Sequence, residues 1–241
     1  MKKTITLSLF ALLFVSSINA QWRNKKVKGN GNITTETRSV GNYNGIGCSG
    51  SMDFVLVKGT EGEIKLEGES NLLEHIVTEI KRGDLIVKVK KNYNIQSSKG
   101  KTVKITIPFQ DINKVTLAGS GDVITEDRID TDKFGVSLAG SGDIILDINA
   151  SDIKSSLAGS GDITLSGNTS NLKVSLAGSG DIKAFDLQSD DVSVSIAGSG
   201  DVQVTSNENL KVSIAGSGDV RYKGDPEVTK KVAGSGSVSK S

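Results

Sequence analysis

The sequence predicts an all-β protein built as a right-handed parallel β-solenoid. Three observations carry this. The phrase Ala-Gly-Ser-Gly occurs seven times, with its Ala at 118, 139, 158, 177, 197, 215 and 233, in steps of 18–21 residues. The flanks alternate apolar and polar residues, as in Val174-Ser175-Leu176 and Ile163-Thr164-Leu165, the period of a strand with one buried face. Nothing in the step is helical, and it is too short for a strand–helix–strand unit or a four-stranded propeller blade.

One coil per repeat satisfies these limits. Equivalent residues then stack in columns roughly 4.8 Å apart. One apolar column runs Leu117, Leu138, Leu157, Leu176, Ile196, Ile214, Val232. Another runs Val123, Ile144, Ile163, Ile182, Val202, Val220. No coil buries its apolar face alone, so neighbours stabilise one another. The glycines suit sharp, crowded corners, and polar stretches such as Ser166–Asn171 suit the opposite turns. Right-handedness is expected from the general preference of parallel crossovers.

Residues 1–20 read as a secretory signal peptide: Lys2 and Lys3, an apolar run, then a polar stretch ending at Ala20. Export to the periplasm, the outer-membrane surface or the medium is expected. No later segment is apolar for long enough to make a transmembrane helix. The leader holds two lysines and no acid, so the remainder carries 27 basic residues against 28 acidic ones. That balance argues against nucleic acid as a partner. Cys48 is the single cysteine, which rules out an internal disulfide and reads as a small packed residue.

Residues 21–34 read as a lead-in, 35–115 as an irregular β-rich part and 116–237 as the repeats; 35–237 could also form one continuous domain. Ser49-Gly50-Ser51-Met52-Asp53 reads as a degenerate copy of the phrase. A short helical turn is expected at Asn71–His75, followed by a hairpin over Ile76–Val89 turning at Arg82-Gly83-Asp84. Lys101–Phe109 alternates as a strand, and Lys91–Lys101 reads as a loop.

"VGNYNGI", "SGSMDFVLVKG", "LLEHIVTEIKRGDLIV" and the tandem of Gly-Ser-Gly-Asp strands together resemble the bacterial head-GIN-domain family of auto-transporter adhesins, over roughly residues 35–236. The resemblance implies an exported, solenoid-like protein of the kind found in Bacteroidota, with no catalytic residues to carry over.

Among candidate sites, six corners continue with an acid: Asp122, Asp143, Asp162, Asp181, Asp201 and Asp219; the seventh has Ser237. Stacked carboxylates repel by about 1 kcal/mol per pair in water and about 3–4 at an effective dielectric of 20. Such a column must splay into solvent, accept hydrogen bonds or take up cations. Acceptance of backbone N–H groups at the aspartate's own turn, as in an Asx turn, is one reading. A Ca²⁺ ladder, on the analogy of calcium β-rolls, is the other. Arg82-Gly83-Asp84 spells an adhesion tripeptide that a hairpin turn explains equally. His75 is the lone histidine and has no evident Ser or Cys partner, which argues against a catalytic triad or a histidine zinc site.

A non-catalytic binding or structural protein is therefore expected, with a glycan or an extracellular protein as ligand. A polysaccharide-acting enzyme is the alternative, and would need acids and aromatics gathered in one groove. An open final coil would permit oligomerisation through the solenoid ends.

Overall fold

The structure is a computed structural model that describes residues 24–241. The expected signal peptide, residues 1–20, and the first lead-in residues lie outside the described residues. The chain forms a parallel β-solenoid. The seven corner alanines stand opposite one another in a single register from Ala118 to Ala233. Ser49 lies opposite Ala118, Gly50 opposite Gly119 and Phe54 opposite Val123, so the degenerate copy is itself a coil.

Both apolar columns read from the sequence point inward. Leu138, Leu157, Ile144 and Ile163 are buried. Cys48 occupies the first column beneath Leu117, and burial pushes its thiol well above the usual cysteine range. In three coils the polar stretch opposite the corner is strand rather than loop, whereas residues 126–128, 206–208 and 224–226 lie between strands. Ile144–Gly159 and Ile163–Gly178 each run as one bent strand, paired through Asn149–Asn168 and Ala150–Thr169. Variation in repeat length is absorbed on this side. In the 20-residue step the register slips between Thr164 and Ser166, where the following coil carries an extra residue. The opposite face, from Lys114 to Gly119 and its copies, keeps strict register. That rigidity allows exposed side chains there to form straight rows.

The irregular part builds the first coil out of chain order. Asp84–Val89 pairs parallel with Gly45–Gly50, and Lys104–Phe109 pairs parallel with Asp53–Lys58. Antiparallel strands then close this end: Gly62–Glu69 pairs with Lys104–Phe109 and with Ile33–Gly41. The expected helical turn is Ser70–Leu73, and the hairpin joins Ile76–Lys81 to Asp84–Val89. Arg82 and Gly83 both have positive φ, 55° and 84°, the geometry of a two-residue type I′ turn. The expected loop at 91–101 differs: Tyr93–Gln96 is a strand paired parallel with Lys25–Lys28. Stacking of Tyr93 on His75, with ring centroids 4.4 Å apart, helps order it. Its partner strand lies far off in sequence, so no local pattern announced it.

At the other end the last coil, Glu227–Gly234 and Val238–Lys240, has one stacked neighbour among the described residues. Val232 is 42% exposed there. Lys230 stands in register with the buried Val212, Val194 and Val174. Lys230 is itself exposed.

Corner ladder and candidate binding groove

Each corner is bonded to the corner below it. The Gly140 carbonyl accepts the N–H of Ser160 at 2.9 Å and that of Gly161 at 3.3 Å. Coils stacked this closely leave no room for side chains. A Cβ built on Gly161 would sit 1.9 Å from the Gly142 carbonyl oxygen, and one on Gly159 would sit 2.0 Å from that of Gly140. Met52 stands at the second glycine position of the degenerate copy. It is tolerated because the coil beneath joins its strands through residues 90–103 and has no such corner. A Cβ on Gly50 would meet only Val89 and Met52 side-chain atoms, at 3.4 and 3.6 Å.

The aspartate column continues this bonding. Oδ1 of Asp122, Asp143, Asp162, Asp181 and Asp201 each accepts the backbone N–H of the next coil's aspartate, at 2.8–3.0 Å. Asp219 accepts both the N–H and the Oγ–H of Ser237. The donors come from the next coil, not from the aspartate's own turn. Ser237, at the seventh corner, is a donor to this column. Asp162 also receives Lys183 Nζ on Oδ2 at 2.6 Å. Burial works to raise the Asp162 pKa, but the Lys183 ammonium and the Asp181 N–H outweigh it and hold the carboxyl below the usual range. Among the described residues no three His, Cys, Asp or Glu side chains are grouped closely enough to hold a metal ion.

The face in strict register carries a groove of about 700 Å³ that runs across the coils. At roughly 4.8 Å per coil, its five coils extend about 20 Å. Its floor is Phe134, Ile153, Leu172 and Val192, only 2–3% exposed. One rim is the row Lys133, Asp152, Asn171, Asp191, Asn209. The other is Gly135, Lys154, Lys173, Ser193, Lys211. Three lysines thus face two aspartates across the groove, and Lys133 stands on the aspartate rim. Lys133 reaches Asp152 at 3.9 Å, but no described carboxylate lies within salt-bridge distance of Lys154, Lys173 or Lys211. Beyond the lysines the face continues as exposed serines and alanines, such as Ser137 and Ala139.

The sequence-based candidates do not meet in this groove. The aspartate ladder lies at the corner, outside the groove's lining. Asp84 of the Arg-Gly-Asp turn is paired with Lys114 at 2.7 Å, and this pairing also occupies the first lysine of the row. His75 packs on Tyr93. The lysine row was missed, although its signal was in the sequence: Lys114, Lys154, Lys173 and Lys211 each stand four residues before a corner alanine. Glu69 was missed as well. It is buried, and its carboxylate accepts Gly31 N–H at 2.6 Å, Ser98 Oγ–H at 2.6 Å and Ser98 N–H at 2.8 Å. These bonds, those from Ser98 foremost, hold its pKa below the usual glutamate range and clamp the N-terminal strands onto the cap.

The sequence profile described as "Putative auto-transporter adhesin, head GIN domain" matches residues 42–226. The chain belongs to the head GIN domain family. Several solved structures resemble this member. A "Putative lipid binding protein" from Parabacteroides distasonis is 30% identical, with TM-score 0.76, over 90% of this chain and 100% of that one. A "putative adhesin" from Parabacteroides merdae is 25% identical, with TM-score 0.69, over 90% and 99%. Another "putative adhesin", from Bacteroides fragilis, has TM-score 0.80 over 89% and 100% at 23% identity, and so speaks to fold alone. No functionally curated protein matches the chain. Among the described residues, no helix is long and apolar enough to cross a membrane.

Proposed function

We propose that this head GIN domain protein is an exported, non-catalytic binding protein of the cell envelope or its surroundings, and that it holds an extended ligand along the lysine-rimmed groove. The observation that carries this reading is the straight groove itself, with polar rows repeated coil after coil on a rigid face. The leader at residues 1–20 supports export, and the adhesin names of its structural neighbours support an external ligand. The polysaccharide-enzyme reading finds less support. The groove's acids alternate with Asn171 and Asn209, and its one aromatic, Phe134, is a buried part of the floor rather than an exposed sugar platform.

A glycan and matrix-protein array tests this reading. Wild-type protein should retain at least one ligand that a Lys154→Gln/Lys173→Gln/Lys211→Gln variant loses. Equal retention by both, or a blank array, would contradict it.

A further inference from the structure

We infer that the ligand of this groove is a linear acidic polysaccharide whose carboxylates meet Lys154, Lys173 and Lys211. The inference rests on the groove being the binding surface. Three features of the groove select this class over other polymers.

The first is charge. The chain beyond its leader is close to neutral, yet this groove carries four lysines against two aspartates. Three of the lysines have no described carboxylate partner. They are ranked along one rim at the coil repeat, so a periodic polyanion can meet them in succession. Complementary potential of this kind steers association and selects partners.

The second is the opposite rim. Asp152, Asn171, Asp191 and Asn209 present carboxylate and amide groups in a row, which suits repeated hydroxyl groups. The two aspartates also disfavour a polymer that is anionic on both sides, as a nucleic acid is. No exposed aromatic lines the groove for base stacking.

The third is the backbone. The strands beneath the groove are paired on both sides by neighbouring coils. An extended acidic peptide that binds by adding a strand has no free edge to join.

The test is calorimetric titration of the chain with polygalacturonate oligomers. Carboxyl-reduced oligomers, poly-glutamate and anionic phospholipid vesicles serve as comparisons. Polygalacturonate should bind, more weakly as salt rises, and the carboxyl-reduced polymer should not. Lys173→Gln should weaken binding about two- to fivefold, the scale of one exposed charge contact, and the triple lysine variant should abolish it. Gly135→Lys should strengthen binding, because it extends the row at a position where a Cβ meets nothing closer than 4.0 Å. Melting temperatures should stay unchanged, since these side chains are exposed. Equal binding of the carboxyl-reduced polymer, with the triple variant still inactive, would overturn the acidic class and leave the groove intact. Binding untouched by the triple variant would overturn the groove itself. Preference for poly-glutamate or vesicles, or no binding to any probe, would overturn the inference.

Discussion

Asp143 and Asp162 occupy the same position on successive coils, and Oδ1 of Asp143 accepts the backbone N–H of Asp162 at 3.0 Å. Repeated from Asp122 to Ser237, this bond turns a column of like charges into a set of acceptors, each facing a donor from the coil above. The Gly-Ser-Gly-Asp phrase is thereby explained by stacking: two glycines let the coils approach, and the acid binds the next coil.

Asp162→Ala should cost about 1 kcal/mol, the net worth of an ordinary hydrogen bond, because it leaves the Asp181 N–H without its acceptor. Asp162→Asn should cost less, since the amide oxygen can still accept. Chemical denaturation of the two variants checks the order. Because Oδ1 of each ladder aspartate is already engaged by the backbone, addition of Ca²⁺ should leave the melting temperature unchanged; a marked rise would restore the cation ladder.

Gly161→Ala should be among the most damaging small substitutions, at more than about 3 kcal/mol. Its Cβ would collide with backbone of the coil below, which cannot rotate away. Gly135→Ala, in open space on the groove rim, should be nearly neutral. Thermal melts of the pair separate a requirement for glycine from mere tolerance of it.

Ser155 lies in an interior column between Val136 and Val174. It is fully buried, with a hydroxyl that finds no partner. Ser155→Val should raise stability by about 1 kcal/mol, on the scale of relieving an unpaired buried polar group, with the flanking valines showing that the shape fits. A higher denaturation midpoint with an unchanged denaturant slope is the expected result.

Acid should loosen the molecule. Glu69 and Asp162 both have folded pKa values below their ordinary ones. Their contribution is therefore fully present above the unfolded values of about 4 and is lost as pH falls through the lower folded values. Amide exchange followed from pH 6 down to pH 3 should show early opening of Lys25–Lys28 and Tyr93–Gln96, the pair beside the Glu69 clamp. Glu69→Gln should show that opening already at pH 6.

What was legible in the sequence was whatever the repeat wrote many times. The inward columns of Leu157 and Ile163, the corners, the place of Ser49–Asp53 and the hairpin at Arg82-Gly83 all follow from periodicity or turn chemistry. The lysine row was equally periodic, but its four members are interrupted at Gly135 and Ser193, and only the register sets Lys154, Lys173 and Lys211 over a groove. The Glu69 clamp could not be read, because Gly31 and Ser98 come to it from distant loops. The strand at Tyr93–Gln96 was hidden for the same reason: its pairing partner, Lys25–Lys28, comes from the far end of the chain.

The central claim is a division of labour: the corner phrase maintains the stack, and the lysine row beside it binds the ligand. The most direct measurement is polygalacturonate affinity together with melting temperature for two variants, Asp143→Ala/Asp162→Ala and Lys154→Gln/Lys173→Gln. The predicted result is a crossed pattern, with the first variant melting lower at unchanged affinity and the second melting normally at much reduced affinity. Loss of affinity in the corner variant, with the lysine variant binding as wild type, would contradict it.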